Sequence, residues 1–125
     1  MVRAKFMMGI LAIAAAANVH ADICPDPQST SLQWGAPPSP WQDNPFSPNR
    51  PQGDENTKFF QANILKAGMG QGVVCVYETS EGRFSIWWQV RVRLPSPLET
   101  QWVSDFGGYS CQQSLGECTF TTIRR

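Results

Sequence analysis

Eight of the ten prolines in this chain fall between Pro25 and Pro51, and nothing else in its 125 residues restricts the fold so tightly. A proline fixes its own φ and has no N–H, so neither a regular helix nor a central strand can run through that stretch. Gly35, Asn44, Asn49 and Gly53 add turn positions to it. Trp34, Trp41 and Phe46 are interleaved with the prolines, which sets the segment apart from an ordinary linker. Large rings on an extended proline-rich arm pin it to a surface. Residues 22–56 are therefore expected to form an irregular arm laid across a folded body. Either all three rings pack on that body, or one or two stay exposed for a partner.

From residue 57 onward the pattern is that of strands, and residues 57–125 are expected to form the β-domain. Phe60, Ala62 and Ile64 alternate with Phe59, Gln61 and Asn63. A glycine cluster, Gly68-Met69-Gly70-Gln71-Gly72, then breaks the chain. It lacks the lysine and the following helix of a phosphate-binding loop, so it reads as a turn. Residues 72–78 carry Val73, Cys75 and Tyr77 on one face and Val74 and Val76 on the other, as a central strand covered on both sides would. Thr79-Ser80-Glu81-Gly82 is a turn signal. Beyond it Phe84, Ile86, Trp88, Val90, Val92 and Leu94 share one face at period two, opposite Ser85, Trp87, Gln89, Arg91 and Arg93. One long strand over 83–94 is expected, ended by Pro95 and Pro97. A short strand over 101–106 and a closing hairpin of 109–112 with 117–123 complete the pattern. The fold class is all-β: a small antiparallel sandwich or compact barrel-like sheet.

Residues 1–21 read as a signal peptide. Arg3 and Lys5 precede an apolar run from Phe6 to Ala17, and Val19-His20-Ala21 places small residues at the −3 and −1 positions of a cleavage site. The run is shorter than the roughly 20 residues a membrane-spanning helix needs. Ile23 and Asp22 ahead of Cys24 make a poor lipidation site. An uncleaved anchor is the alternative to cleavage after Ala21, and no later apolar run is long enough to span. The expected location is the periplasm. Cleavage there removes His20, the single histidine, and leaves eight basic against ten acidic residues, a net charge of −2. That balance lacks the basic field of a nucleic-acid binder.

Four cysteines, Cys24, Cys75, Cys111 and Cys118, in an exported chain read as two disulfides rather than a zinc site, since C-x₂-C spacing is missing. Three pairings are open. The preferred one joins Cys111 to Cys118 across a short loop and Cys24 to Cys75 between arm and body. Without histidine, a histidine-based nucleophilic site has no base. Asp54-Glu55 and Glu78 with Glu81 are the nearest approach to a carboxylate pair. They lie in expected turns, where acids are ordinarily solvated. No catalytic residue, metal or cofactor is expected. The candidate contact residues are Trp87, Gln89, Arg91 and Arg93 on one strand face, where Trp87 and Arg91 could form a cation–π pair, and Trp34 and Trp41 on the arm.

Several blocks together carry a resemblance. They are Ile23-Cys24-Pro25-Asp26-Pro27, Leu32-Gln33-Trp34-Gly35, Asn44-Pro45-Phe46-Ser47, Ala62-Asn63-Ile64-Leu65, Val74-Cys75-Val76-Tyr77, Ser85-Ile86-Trp87-Trp88 and the Cys111…Cys118 end. In this order they resemble the small exported EirA-type proteins of intracellular gammaproteobacteria, associated with the Dot/Icm type IV secretion system. The resemblance implies a non-enzymatic periplasmic protein that supports secretion and replication inside host cells, and it carries over no catalytic residue. The expected function is that of an accessory protein binding another protein, such as a secretion-system component. A carbohydrate-binding or adhesion module and an exported enzyme inhibitor are the alternatives.

Overall fold

The computed structural model describes residues 18–66 and 70–124, with side chains for 21–66 and 70–123. Most of the expected leader and part of the glycine cluster lie outside the described residues. Among the described residues nine strands run in chain order as β1 (Asn18–Asp22), β2 (Gln42–Asp43), β3 (Lys58–Leu65), β4 (Gly72–Thr79), β5 (Gly82–Trp88), β6 (Val92–Arg93), β7 (Val103–Asp105), β8 (Gly108–Cys111) and β9 (Phe120–Arg124). They form two antiparallel sheets, one of order β2-β5-β4-β3-β8-β7 and one of order β1-β9-β6. The all-β class read from the alternation is the class observed.

β4 is central, as its two-sided pattern requires. Val73, Cys75 and Tyr77 are fully buried on its inner face. Ala62, Ile64, Phe84, Ile86, Trp88 and Cys111 from neighbouring strands join them in one core. The arm and the smaller sheet meet this layer at a triangle of rings. Trp41 of the arm lies 5.5 Å from Trp88 and 6.2 Å from Phe120 of β9, and Trp88 lies 6.3 Å from Phe120. Tilted and edge-on rings at such distances add about 0.5–1.5 kcal/mol per pair beyond their burial.

Both disulfides are those preferred from sequence, Cys24–Cys75 and Cys111–Cys118. The first fixes the start of the arm to the middle of β4. Beside it the Tyr77 hydroxyl donates to the Pro25 carbonyl at 2.6 Å, in full burial. Desolvation pushes the Tyr77 phenol far above its ordinary range, with the charge of Asp26 adding to the shift. Farther along the arm, β2 pairs with β5 at Trp87 and Ile86. Past it, side chains continue the edge. Ser47 Oγ accepts from the Ser85 N–H at 2.9 Å, and Asn49 Nδ2 donates to the Arg83 carbonyl at 2.7 Å. The prolines forbid a ladder here, so serine and asparagine side chains satisfy the β5 edge instead.

Three local expectations are corrected. The strand expected over 83–94 ends at Trp88, and Val92–Arg93 belongs to the other sheet. The last rung between β4 and β5 is Val73↔Trp88, so beyond it the strand has no partner on that side. Gly72 makes the close approach possible: at φ +111 its missing Cβ would sit 1.9 Å from the Trp88 carbonyl oxygen. The apolar period persists because Val90 and Val92 still face the core. It reports burial, not an unbroken ladder. In β3 a bulge between Phe59 and Gln61 shifts the register. Phe59 thereby turns to the core ring of Tyr77, 6.1 Å away, while the ring of Phe60 lies 3.8 Å beneath the Arg83 guanidinium. Finally, β8 and β9 form no hairpin. β8 pairs with β3 and β7, β9 with β1 and β6, and the Cys111–Cys118 loop carries the chain between sheets. The Thr119 carbonyl in this crossing accepts from the Trp102 indole N–H at 2.8 Å.

Loss of the arm clamp should be costly. The Cys24–Cys75 bond closes a separation of 51 residues and the Cys111–Cys118 bond one of 7, for which chain entropy gives about 4 and about 2.5 kcal/mol. Urea unfolding of the Cys24→Ser, Cys75→Ser pair should therefore show the larger loss of the two. Tyr77→Phe should cost about 1–2 kcal/mol by leaving the Pro25 carbonyl unpaired. The Tyr77 proton also sets a pH dependence. The unfolded chain releases it near pH 10, whereas the folded chain holds it. Stability is thus whole below about pH 10 and falls as pH rises above it. The alkaline fall of the urea midpoint should be weaker in Tyr77→Phe.

Candidate interaction face

The inner face of the six-stranded sheet is closed by the arm and the smaller sheet, which leaves its outer face as the broad surface. The register sets one row of outward residues across five strands: Trp87 of β5, Val74 of β4, Asn63 of β3, Ser110 of β8 and Val103 of β7. Val76 and Gln61 form the next row, and Ser85 at its end is buried beneath Asn44 of the arm, whose Nδ2 donates to Ser85 Oγ at 2.9 Å. Leu65, Val74, Asn63, Tyr109 and Phe106 line a shallow groove of about 380 Å³ along the first row. Phe106 is 97% exposed and Val103 61%. Apolar side chains thus extend from Trp87 through Val74 and Leu65 to Val103 and Phe106 at the β7 edge, with Asn63 and Ser110 between them.

This run is held in place by its surroundings. The Trp87 indole N–H donates to the Gln71 carbonyl at 2.9 Å, and the Gly70 backbone lies against Trp87 and Leu65, so the ring is half-buried in a fixed pose. Gln61 Nε2 donates to Asn63 Oδ1 at 2.6 Å, and Gln112 Nε2 donates to Gln61 Oε1 at 2.7 Å. These two bonds link the three amides into a chain beside Val74 and Leu65. At the far end Arg83 stacks on Phe60 and pairs with Glu78 at 2.9 Å.

The residues singled out from sequence are distributed differently than one strand face would place them. Trp87 is on the outer row. Gln89 is exposed where the chain leaves the sheet, and Arg93 pairs with Thr121 in the other sheet. Arg91 borders a second depression of about 210 Å³ with Leu65, Gly70, Gly72, Val92 and Leu94. It adjoins the face across the glycine turn, not along the strand. The cation–π contacts among the described residues are Arg83 on Phe60 and Lys66 on Tyr109. Trp41 is only 8% exposed. It belongs to the core and is removed from the contact residues, because the ring triangle with Trp88 and Phe120 claims its surface. Trp34, at 68%, and Phe46, at 84%, remain exposed on the arm.

Val103, Phe106 and the amide chain went unrecognised in the sequence. One signal was present: Asp105-Phe106-Gly107-Gly108 is a two-residue hairpin turn, closed by Asp105↔Gly108. A residue at such a tip projects from the body, so a phenylalanine there has no packing role to explain it. Of the four turn carboxylates, Asp54 and Glu78 serve local structure. Asp54 Oδ1 accepts from the Asn56 N–H and the Thr57 hydroxyl, and Glu78 holds Arg83. No group of three histidine, cysteine or acidic side chains among the described residues could hold a metal ion. No helix among the described residues is long and apolar enough to cross a membrane.

Fold and surface together define a small all-β domain stapled by two disulfides, with one face of its larger sheet uncovered. The chain belongs to the DUF3757 family, described as a protein of unknown function, whose sequence profile matches residues 18–121. Neither a curated protein nor a solved structure matches it.

This division of the aromatics into core and surface has a direct readout. Trp41→Ala should cost about 3–5 kcal/mol, as a large core truncation does. Phe106→Ser should change stability by no more than about 0.5 kcal/mol. Chemical denaturation of the two variants checks both.

Proposed function

We propose that this protein is exported to the periplasm, is cleaved after Ala21, and acts there without catalysis by binding another protein through the outer face of its larger sheet. The observation that carries the reading is the run of apolar side chains from Trp87, whose indole is held by the Gln71 carbonyl, through Val74 and Leu65 to the exposed Phe106. Both disulfides fit an oxidising compartment. The resemblance to EirA-type proteins supports a partner in a type IV secretion apparatus.

A carbohydrate site would want coplanar exposed rings beside free amides. Here Asn63 and Gln61 are bonded to each other, and the Trp87 N–H is already engaged. A broad, largely apolar surface with a hydrogen-bonded tryptophan at one end and an exposed phenylalanine at the other suits a protein partner better. The exported-inhibitor alternative shares this surface and differs only in what is bound.

Affinity purification from cross-linked native cells tests the reading. A Trp87→Ala, Phe106→Ser pair should export and fold, yet lose the co-purifying partner, since truncating aromatic contact residues that anchor an interface costs about 2 kcal/mol or more. A Trp34→Ala, Phe46→Ser pair on the arm should retain it. The reverse pattern would move the contact to the arm.

A further inference from the structure

Residues 18–21, the end of the expected leader, fill a place in the smaller sheet that processing would empty. β1 runs antiparallel along β9 with Asn18↔Arg124, Val19↔Ile123, His20↔Thr122, Ala21↔Thr121 and Asp22↔Phe120. β6 covers the opposite edge of β9 at Thr121 and Thr122. The Ile123 N–H donates to the Arg91 carbonyl at 3.0 Å, so Ile123 turns its polar groups toward β6. Backbone groups alternate between the two edges of a strand, and Phe120, Thr122 and Arg124 therefore present theirs to β1. A chain beginning at Asp22 keeps the rung at Phe120. The Asp22 carboxylate also keeps its bond from the Thr122 hydroxyl at 2.8 Å. The backbone partners of Thr122 and Arg124 are lost. Thr122 is fully buried when β1 is in place, so the cut opens a strand edge beside the core. An open edge of this kind is a template for an added strand.

We infer that removal of the leader opens this edge of β9 and that an extended segment of the partner protein takes the place of residues 18–21. The inference rests on the reading above, that the chain is cleaved after Ala21 and binds a protein. The slot defines the occupant: a strand antiparallel to β9, with a residue other than proline opposite Thr122, because that residue's N–H must donate to the Thr122 carbonyl. A second copy of this chain fits poorly. In a symmetric β9–β9 pair centred on Thr122, Arg124 of one copy would need the position opposite Phe120 that Asp22 keeps.

The test uses protein recovered from exporting cells, a chain expressed from Asn18, and a synthetic peptide of residues 17–21. Intact mass should give Asp22 as the first residue. Hydrogen exchange at the Thr122 and Arg124 amides should be about tenfold or more faster in the exported chain than in the chain that retains residues 18–21. Excess peptide should restore the protection, and the same peptide with His20→Pro should not. In the presence of the partner identified by affinity purification, these two amides should be protected again. A mature chain that begins at or before Asn18 overturns the inference. So do equal exchange in the two chains, a peptide without effect, and a dimer by light scattering whose Thr122 amide is protected. None of these outcomes touches the outer-face reading, which depends on the Trp87 and Phe106 variants.

Discussion

The attachment of the arm to β4 is the constraint on which the rest of this structure depends. Cys24–Cys75 and the Tyr77–Pro25 hydrogen bond act side by side on the buried face of the central strand. They bring a segment that can make almost no ladder of its own over the open side of a six-stranded sheet. Once it is held there, Leu32 and Trp41 reach the core and are buried. A chain of this size buries only a modest core, and covalent staples compensate for that. Tyr77 does two things in one position: its ring stacks on Phe84 at 5.3 Å, and its hydroxyl satisfies a buried carbonyl of a proline-rich turn.

With the inner face closed, the two faces of the sheet carry different burdens. Its outer face carries valine, leucine and tryptophan on central strands, where a solvated face would carry polar residues. The amide chain of Gln61, Asn63 and Gln112 lies beside them, linked by two side-chain hydrogen bonds. The Trp87 ring, held by its hydrogen bond to the Gln71 carbonyl, loses little freedom when covered. The same sequence features that would be a liability on a free monomer thus suit recognition.

Much of the fold was legible because burial and period two coincide in β4 and in the first half of β5. Val73, Cys75 and Tyr77 could face only one way. The errors arose where burial outlasts pairing. Val90 and Val92 keep the apolar period after β4 has run out, so alternation alone could not reveal the change of sheet at Trp88. The bulge at Phe59 is invisible in a sequence where two phenylalanines are adjacent and either can take the core. The contact surface was only partly legible. Trp87 stood out by its parity. Arg91 and Arg93 were grouped with it on a strand that does not continue, and Trp41 was a ring whose burial depends on a distant partner, Phe120. Phe106 escaped notice because an exposed hairpin tip is recognised from the turn, not from hydrophobic pattern.

The central claim is that a protein partner sits on the outer row of the larger sheet. Site-specific photo-cross-linking in exporting cells tests it most directly, with the cross-linker placed at Val103 on the outer row and, separately, at Ser29 on the arm. The account predicts one discrete adduct from position 103, absent when Trp87→Ala is introduced, and none from position 29. An adduct from position 29 alone, or one from position 103 that survives Trp87→Ala unchanged, would contradict it.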